Sequence, residues 1–366
     1  MNIRVLTNKS EWNTFYNRVG SPSFHHSWEW GEFQKLCNND IERVGLYDNN
    51  NLVAIALIVK VRSKRGKYLF IPHGPLFDIL QDRLTQKIFS QQFKSIGTQL
   101  AEFHRYLTNM ARSEGFWFIR IAPPMARDDD HVSLFRALGY RIAPIYVHAE
   151  TMWVIDLAQS ENDILANMRK NTRYAIRRAE REHISVISNE SSEGLKKFLD
   201  LYHVTAVREQ FTPYSDVYIR HEFDAFQSAG NAIIFNSGFL NSPQEVLPPE
   251  FAQEGASQNL AASLVIFSKS SGFYHQGASI HTKYPAAYLL QWYAILEAKR
   301  RGCNYYSFHG IHDPGRTPKS WDGLSLFKHG FGGFQVDYLY TQDFIISPMY
   351  ILSYLSDRYL NWRRGV

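Results

Sequence analysis

The chain has 366 residues, of which 45% are hydrophobic and 15% aromatic, enough to fill the cores of two ordinary domains and to exclude a disordered protein. The formal net charge of +5 and the pI near 9.0 favour polyanionic partners such as RNA, diphosphates or an anionic membrane surface. No apolar run approaches the roughly 20 residues of a membrane span, and the polar first residues are unlike a secretory signal, so we expect a cytoplasmic protein.

Cysteine and histidine usage gives no indication of a metal centre. Cys37 and Cys303 are the two cysteines, and neither has a second ligand at a zinc-binding spacing, so both are predicted to be buried thiols. The 14 histidines are scattered, and no HExxH motif occurs. We therefore predict neither a metal site nor a disulfide framework.

The first half of the chain has the pattern of an open α/β sheet. Apolar runs predict strands near 44–47, 52–61, 68–71 and 116–121. A long stretch with helical spacing of apolar residues, 82–113, lies between the last two strands. The order is therefore strand, strand, strand, helix, strand.

The second half repeats this order. Strands are predicted near 232–239, 260–267 and 272–276, followed by a helix over 285–301 and a strand over 305–308. The repetition indicates an internally duplicated α/β protein. We predict a first domain of residues 1–152 plus 340–366 and a second domain of residues 153–339.

Two further segments lie outside the repeated units. The polar, proline-containing stretch 241–259 is typical of an extended surface loop. Near the end of the printed sequence, Ser347 is the predicted N-cap and Pro348 the first residue of a last helix. Its apolar residues share one broad face, which we expect to pack on the first domain: Ile351, Tyr354, Leu355, Tyr359 and Leu360.

A strongly basic helix is predicted from Ser160 to about Arg181, with a capping-box-like start at Ser160 and Asp163. A helix surface that carries only positive charges suits an RNA or diphosphate backbone, because like charges repel unless a polyanion balances them. The alternative is that Arg177 and Arg181 form ordinary helix-face pairs with Glu180. Six cations lie within thirteen residues: Arg169, Lys170, Arg173, Arg177, Arg178 and Arg181.

The run from Met168 to Glu182, MRKNTRYAIRRAERE, resembles the helix that opens the second domain of the Fem family of peptidoglycan bridge-forming enzymes. Supporting motifs follow in the same order along the whole chain. They are WEWGEFQ at 28–34, HGP at 73–75, GAS at 277–279, LLQW at 289–292, FHGI at 308–311 and LFKHGF at 326–331.

This resemblance implies two tandem GNAT-like α/β domains without a metal or a bound coenzyme. It implies an aminoacyltransferase that uses aminoacyl-tRNA as donor and a peptidoglycan precursor, lipid II or UDP-MurNAc-pentapeptide, as acceptor. The region 195–207 offers one moderate helix rather than a coiled-coil arm, so the chain resembles the short, armless form. We also expect a monomer with peripheral contact to the inner face of the membrane.

Site residues are carried over from the family by position. Phe327 and Lys328 resemble the aromatic residue and lysine near the transferred aminoacyl ester, and Lys35 falls beside the usual basic contact to the precursor phosphates. The other predicted substrate-binding residues are Thr212, Tyr214, Tyr218 and Tyr274, and the predicted tRNA-binding residues are Arg169, Lys170, Arg173 and Arg177.

Three departures from the family pattern concern acceptor identity. Tyr214 stands where an arginine to the diphosphate is expected, Ser307 replaces an aspartate, and Ala122 replaces an acidic residue.

The chemistry needs no ATP, because an aminoacyl ester is already activated. It needs an amine held near the ester and stabilisation of a developing oxyanion. Lys328 is the candidate cation, for that oxyanion or for the phosphate of the terminal adenosine, and Phe327 could stack on the adenine. In the alternative reading, Phe327 packs in a core and Lys328 faces solvent.

Two other functions fit parts of the sequence. An acyl-CoA-dependent N-acyltransferase would use a glycine-rich turn, for which Gly277-Ala278-Ser279 is a poor match. A non-catalytic RNA-binding protein would use the basic helix alone.

Overall fold

The computed structural model describes residues 1–21, 23–78, 90–239 and 259–366, which divide into two compact units. Unit 1 comprises Met1–Met152, Gly310–Ser325 and Gln335–Val366, and unit 2 comprises Trp153–His309 and Leu326–Phe334. The predicted boundaries differ in that they assigned 310–325 and 335–339 to the second domain.

Unit 1 contains an eight-stranded sheet in the order β1-β2-β3-β4-β6-β15-β7, with β5 paired to β3. The strands β4 and β6 are parallel, and they are joined through α3. The strands are β1 (Asn2–Val5), β2 (Asp40–Asp48), β3 (Asn51–Ser63), β4 (Gly66–Ile71), β5 (Leu76–Phe77), β6 (Phe118–Ile121), β7 (Arg141–Ile142) and β15 (Gln342–Ile345). The helices are α1 (Lys9–Val19), α2 (Trp28–Leu36), α3 (Ser90–Ser113), α4 (Asp129–Ala137) and α11 (Tyr350–Arg364).

The predicted strand, strand, strand, helix, strand order is therefore present, although 82–89 of the predicted helix lie outside the described residues. On α3, Ile96, Leu100, Phe103 and Leu107 are fully buried. Their spacing of three and four residues places them on one face, which joins the apolar core of unit 1 with residues of β3, β4 and β6.

The strands β8 to β14 form a seven-stranded sheet, which falls largely in unit 2, in the order β14-β8-β13-β12-β11-β10-β9. Here β12 and β13 are parallel and are joined through α9. The strands are β8 (Thr151–Asp156), β9 (Ser185–Asn189), β10 (Ala232–Gly238), β11 (Asn259–Phe267), β12 (Ser271–Ser279), β13 (Tyr305–Gly310) and β14 (Phe334–Asp337). The helices are α5 (Glu161–Asn167), α6 (Lys170–Arg181), α7 (Ser192–Glu209), α8 (Asp216–Gln227) and α9 (Ala286–Arg300), and α10 (Trp321–His329) ends in this unit.

The internal duplication is visible in the topology. β2-β3-β4-α3-β6 in unit 1 corresponds to β10-β11-β12-α9-β13 in unit 2. The second helix is followed by Gly302, whose φ of 77° is the left-handed conformation that glycine adopts without strain. The predicted surface loop 241–259 lies, except for its last residue, outside the described residues.

The prediction of one continuous basic helix is wrong. The chain is helical over α5 and again over α6, and Met168 between them is extended, with φ −69° and ψ 151°. Met168 is buried in the core of unit 2. The amide of Arg169 donates to the carbonyl of Gly330 at 2.9 Å instead of bonding within a helix. A tertiary contact therefore interrupts a sequence without proline or glycine at that point.

The prediction for the last helix is also wrong in two respects. The helix α11 begins at Tyr350 with Met349 as N-cap, and no side chain caps it. Ile351, Leu355 and Tyr359 are exposed rather than packed on unit 1. The buried face is instead polar, because Arg120 on β6 is itself buried and attracts Asp357 at 2.9 Å.

Two buried histidines, His26 and His73, form hydrogen bonds within unit 1. His26 donates from Nδ1 to the carbonyl of Pro72 at 2.8 Å and accepts the amide of Leu57 at Nε2 at 2.9 Å, so its ring is held neutral. His73 lies 2.6 Å from the hydroxyl of Ser23. Burial lowers the pKa of His26 to about 4 and that of His73 to about 3.

The lowered pKa values of these two histidines predict that acid destabilises the protein. Their pKa in the unfolded chain is about 6.5, so below that pH the unfolded state binds protons that the folded state refuses. The free energy of unfolding should fall as the pH drops from about 6.5 towards 4, by up to about 1.4 kcal/mol per pH unit for each ring. Urea unfolding of the wild type across this range measures the slope.

The matched controls are His26→Asn, which should reduce the slope, and His183→Asn at an exposed position, which should not. A wild-type stability that is unchanged between neutral pH and the folded-state pKa of His26 would contradict the assignment.

Candidate active site in unit 2

The candidate site lies where α10 ends and α6 begins. Lys328 is near the end of α10, and its side chain is only 4% exposed. Two residues further on, the Gly330 carbonyl accepts the Arg169 amide. A Cβ atom at Gly330 would lie 2.5 Å from Oγ1 of Thr172, so only glycine allows this close approach. The contact brings the cationic start of α6 to the segment that carries Lys328.

Burial is the cause of the unusual titration of Lys328. It lowers the pKa of this amine from 10.5 to about 7, because an ammonium ion loses its hydration in the protein interior. The neighbouring His329 has its pKa lowered by burial, by Arg169 and by Lys328. Its ring packs on Trp153, with ring centroids 4.2 Å apart. Arg169, Lys328 and His329 therefore share one electropositive neighbourhood.

The start of α6 adds to this positive potential. Arg169 is its N-cap, and no side chain caps the helix there. The first amides of a helix that lacks a cap are donors directed outwards, and with the helix dipole they favour an anion. Lys170 is exposed beside them. A phosphate or a developing oxyanion is the species that such a site stabilises.

The predicted cations of α6 fall into different environments. Arg169, Lys170 and Arg177 are exposed and form no ion pair with any residue that the structure describes. Arg173 is half-buried and donates to the carbonyls of Ala166, at 2.9 Å, and Met168. It therefore closes the end of α5, a structural role that the sequence did not indicate.

The two remaining cations of the segment have partners on the helix itself. Arg178 pairs with Glu182 at 2.8 Å, and Arg181 lies over the ring of Tyr174. Among the described residues, neither Arg177 nor Arg181 forms an ion pair with Glu180, and the pair that does form on this helix face is Arg178 with Glu182.

Phe327 lies at one end of an aromatic cluster. Its ring contacts Tyr288 and Phe331 edge-on, at 4.9 Å and 5.2 Å between centroids. Phe331 contacts Phe308, which in turn contacts Tyr274. The structure therefore connects the predicted residues Phe327 and Tyr274 through two buried rings. Phe327 packs against the core while remaining half-exposed.

Tyr274 is held in place on β12. Burial raises the pKa of its hydroxyl to about 12, so it stays protonated and can donate a hydrogen bond. The hydroxyl lies against the backbone of Gly277, where a Cβ atom would overlap it. Gly277 is thus a strand residue that makes room for a tyrosine and not part of a phosphate-binding turn, which weakens the acyl-CoA alternative.

Three of the predicted substrate-binding residues lie where α7 connects to α8: Thr212 and Tyr214 in the loop, and Tyr218 in the first turn of α8. Tyr214 and Tyr218 stack face to face, with centroids 4.5 Å apart and an interplanar angle of 10°. The amide of Tyr214 donates to the hydroxyl of Tyr202, and Thr212 is exposed. A hydrogen bond connects α8 to the strand that carries Tyr274: the Glu222 carboxylate on α8 lies 2.8 Å from the His275 ring on β12.

Lys35, in unit 1, is exposed on α2 and pairs with Glu32 at 3.0 Å. Glu32 also accepts from Arg43, so its charge is shared between two cations.

A cavity of about 10 Å³ in unit 1, with room for one water molecule, is lined in part by the charged residues Glu150, Asp313 and Arg316. Arg316 binds both oxygens of Glu150 at 2.7 and 2.8 Å, and Arg127 pairs with Asp313 at 3.1 Å. Because these charges pair with one another, we do not assign them to the candidate site. Across the described residues, no group of His, Cys, Asp or Glu forms a metal-binding set.

Comparison with solved structures defines the fold class. FemX superimposes with a TM-score of 0.77 at 18% identity, covering 96% of this chain and 99% of that chain. A tandem GNAT protein from the clavulanic acid biosynthesis pathway aligns with a TM-score of 0.52 at 10% identity, covering 95% of this chain and 99% of that chain. The predicted fold, two tandem GNAT-like α/β domains, is confirmed.

The chain belongs to the FemAB family, which it matches over residues 7–236 and 244–357. A lipid II:glycine glycyltransferase of Staphylococcus aureus is 21% identical over 306 residues, covering 66% of this chain and 72% of that protein. The predicted resemblance to the Fem family is thereby confirmed. No described helix meets the length and hydropathy required to cross a membrane.

Burial of Lys328 predicts that the stability of the protein depends on pH. With a pKa of about 7 in the folded state and 10.5 in the unfolded chain, the unfolded state binds more protons between these values, so wild-type stability should rise with pH across that window. Lys328→Met should flatten this rise by at least about 1 kcal/mol, the equivalent of roughly one pKa unit.

Chemical denaturation at several pH values between about 7 and 10 measures the rise. Lys319→Met, at an exposed position, is the matched control and should leave the rise unchanged. A rise of equal size in the wild type and in Lys328→Met would contradict the assignment.

Proposed function

We propose that this protein is an aminoacyltransferase that moves an amino acid from an aminoacyl-tRNA to the diamino residue of a peptidoglycan stem peptide. Membership of the FemAB family and the glycyltransferase relative support the reaction class. The observation that carries the proposal is the buried Lys328 beside the cationic, side-chain-uncapped start of α6. The acceptor is lipid II or UDP-MurNAc-pentapeptide.

In the proposed reaction, the acceptor amine attacks the ester carbonyl, the bond to the ribose oxygen breaks, and the amine proton passes to that leaving oxygen. No external energy source is needed, and positioning supplies most of the acceleration. A positive charge beside the carbonyl oxygen stabilises the oxyanion as it develops.

Lys328 suits this role because its charge depends on the ligand. Burial lowers the pKa of this amine from 10.5 to about 7, so near neutral pH its protonation responds to a nearby charge. An arriving phosphate or oxyanion favours the ammonium form and raises its pKa, so the charge is completed when the donor is bound. Desolvation then strengthens the attraction, since the effective dielectric constant is lower than in water.

The donor nucleic acid is proposed to lie along α6. Arg169, Lys170 and Arg177 are available to phosphates, whereas the guanidinium of Arg173 is engaged with backbone carbonyls. Phe327, at the half-exposed end of the aromatic cluster, is proposed to stack on the terminal adenine. Lys35, Thr212, Tyr214, Tyr218 and Tyr274 remain the proposed acceptor contacts.

Mass spectrometry tests the reaction. Precursor incubated with the protein and a full aminoacyl-tRNA pool should gain the mass of one amino-acid residue, and acetyl-CoA should give no product. Lys328→Met should lose transfer by about 100-fold or more, as expected for removal of an oxyanion-stabilising group, while calorimetry shows unchanged precursor binding.

Lys319→Met should transfer at the wild-type rate. Acetyl transfer from acetyl-CoA, or wild-type turnover by Lys328→Met, would each refute the corresponding part of the proposal.

The salt dependence of tRNA binding tests the basic helix. Combining Arg169→Gln with Arg177→Gln should weaken binding and reduce the slope of log affinity against log salt by about 1 for each phosphate that the variant no longer neutralises. Arg105→Gln, an exposed arginine of α3 in unit 1, is the control. An unchanged slope in the double variant would exclude α6 as the tRNA surface.

A further inference from the structure

The helix α11 packs with its polar face inward. Ser353, Asp357 and Asn361 are buried at a spacing of four residues. The hydroxyl of Ser353 donates to the carbonyl of Arg65 at 2.7 Å. Asp357 pairs with the buried Arg120. The Asn361 side chain donates to the carbonyl of Pro144, so polar contacts fix the orientation of the helix along its length.

The opposite face of α11 is apolar and exposed. At 100° per residue, its large apolar side chains fall within a stripe about 100° wide, opposite the buried polar residues. Each is between 52% and 73% exposed: Ile351, Leu352, Leu355, Tyr359 and Trp362. This arrangement reverses that of an ordinary surface helix.

Arginines border this apolar stripe. By the same helical spacing, Arg358 lies along one edge and Arg363 along the other, and Arg364 follows in the last turn. All three are exposed. The single acidic residue of α11 is Asp357, which is buried and paired. The outward surface of the helix therefore combines apolar and aromatic groups with positive charge alone.

This combination favours a lipid surface over a second copy of the chain. In a two-fold dimer each stripe would meet an identical stripe, bringing arginines of like charge together. Anionic lipid headgroups instead neutralise the arginines, whose apolar stems extend along the stripe. Tyrosine and tryptophan are the aromatic residues that prefer the membrane–water interface.

We propose that α11 is an interfacial anchor that lies on an anionic bilayer, with the apolar stripe in the headgroup region. At 15 residues the helix is about 22 Å long, shorter than the roughly 30 Å hydrocarbon core, so it lies along the surface. The proposal goes beyond the proposed function and stands without it. If both hold, the enzyme works where a lipid-linked acceptor is concentrated.

Vesicle flotation without any substrate tests the anchor. The protein should bind vesicles of phosphatidylcholine with phosphatidylglycerol more tightly than vesicles of phosphatidylcholine alone, and added salt should reduce the difference. Combining Leu355→Ser with Trp362→Ser should reduce the partition coefficient at least tenfold. Combining Arg358→Gln with Arg363→Gln should remove the preference for anionic lipid, by about five-fold per arginine.

Val207→Ser is the matched control, because Val207 on α7 is 82% exposed and lies outside α11. Trp362→Ser alone is used if the double variant does not fold, and circular dichroism reports the fold. Absence of binding to anionic vesicles, or equal binding by wild type and stripe variants, overturns the proposal. So does a concentration-dependent dimer in sedimentation that the stripe variants abolish, because the second copy would then be the occupant.

Because the assay contains neither tRNA nor precursor, its failure leaves the transferase proposal untouched. Conversely, loss of transfer with intact vesicle binding would refute the proposed function and not the anchor.

Discussion

A buried charge must be compensated or must change its protonation, and the two units meet this constraint differently. In unit 1, Arg120 contributes two hydrogen bonds to Asp343, at 2.7 and 2.8 Å, and a third to Asp357. Such a set remains ionised because each partner replaces lost hydration. In unit 2, burial lowers the pKa of Lys328 to about 7. A strongly shifted pKa of this kind is common at functional sites, whereas the paired charges of unit 1 are part of its interior structure.

The compensated charge of unit 1 also determines what the protein presents to its surroundings. Asp357 belongs to α11, so pairing with Arg120 selects the polar face of that helix for burial. The apolar face is left outward as a direct result. One interior arginine therefore couples the sheet of unit 1 to the chemistry of an outer surface.

Local patterns in the sequence predicted the central strands of both sheets and the long helix that crosses between the parallel strands of each. Strands such as β3 and β11 are continuous apolar runs, and α3 has regular helical spacing, so neighbours in sequence determine them. The break at Met168 was not predictable, because it depends on Gly330, more than a hundred residues away. The inverted packing of α11 was not predicted for the same reason, because nothing in the sequence of this helix indicates that Arg120 is buried beneath it.

In the candidate site, too, the sequence indicated the residue types, and tertiary contacts determined their environments. The sequence selected Lys328 and the cations of α6, but exposure and burial decide what each can do. Burial of Lys328 and the capping of α5 by Arg173 arise from tertiary contacts that no spacing rule includes. His329 belongs to the motif LFKHGF, but no role for it was predicted from the sequence. Its ring packs on Trp153, which comes from a distant segment of the chain.

The triplet His73-Gly74-Pro75 has a consequence for how relatives can diverge. A Cβ atom at Gly74 would overlap the imidazole of His26, which is itself fixed by Pro72 and Leu57. A larger residue at the position of Gly74 would therefore require a smaller one at the position of His26. These two sites should change together or not at all, so variation at either reports compensated packing and not a change in substrate.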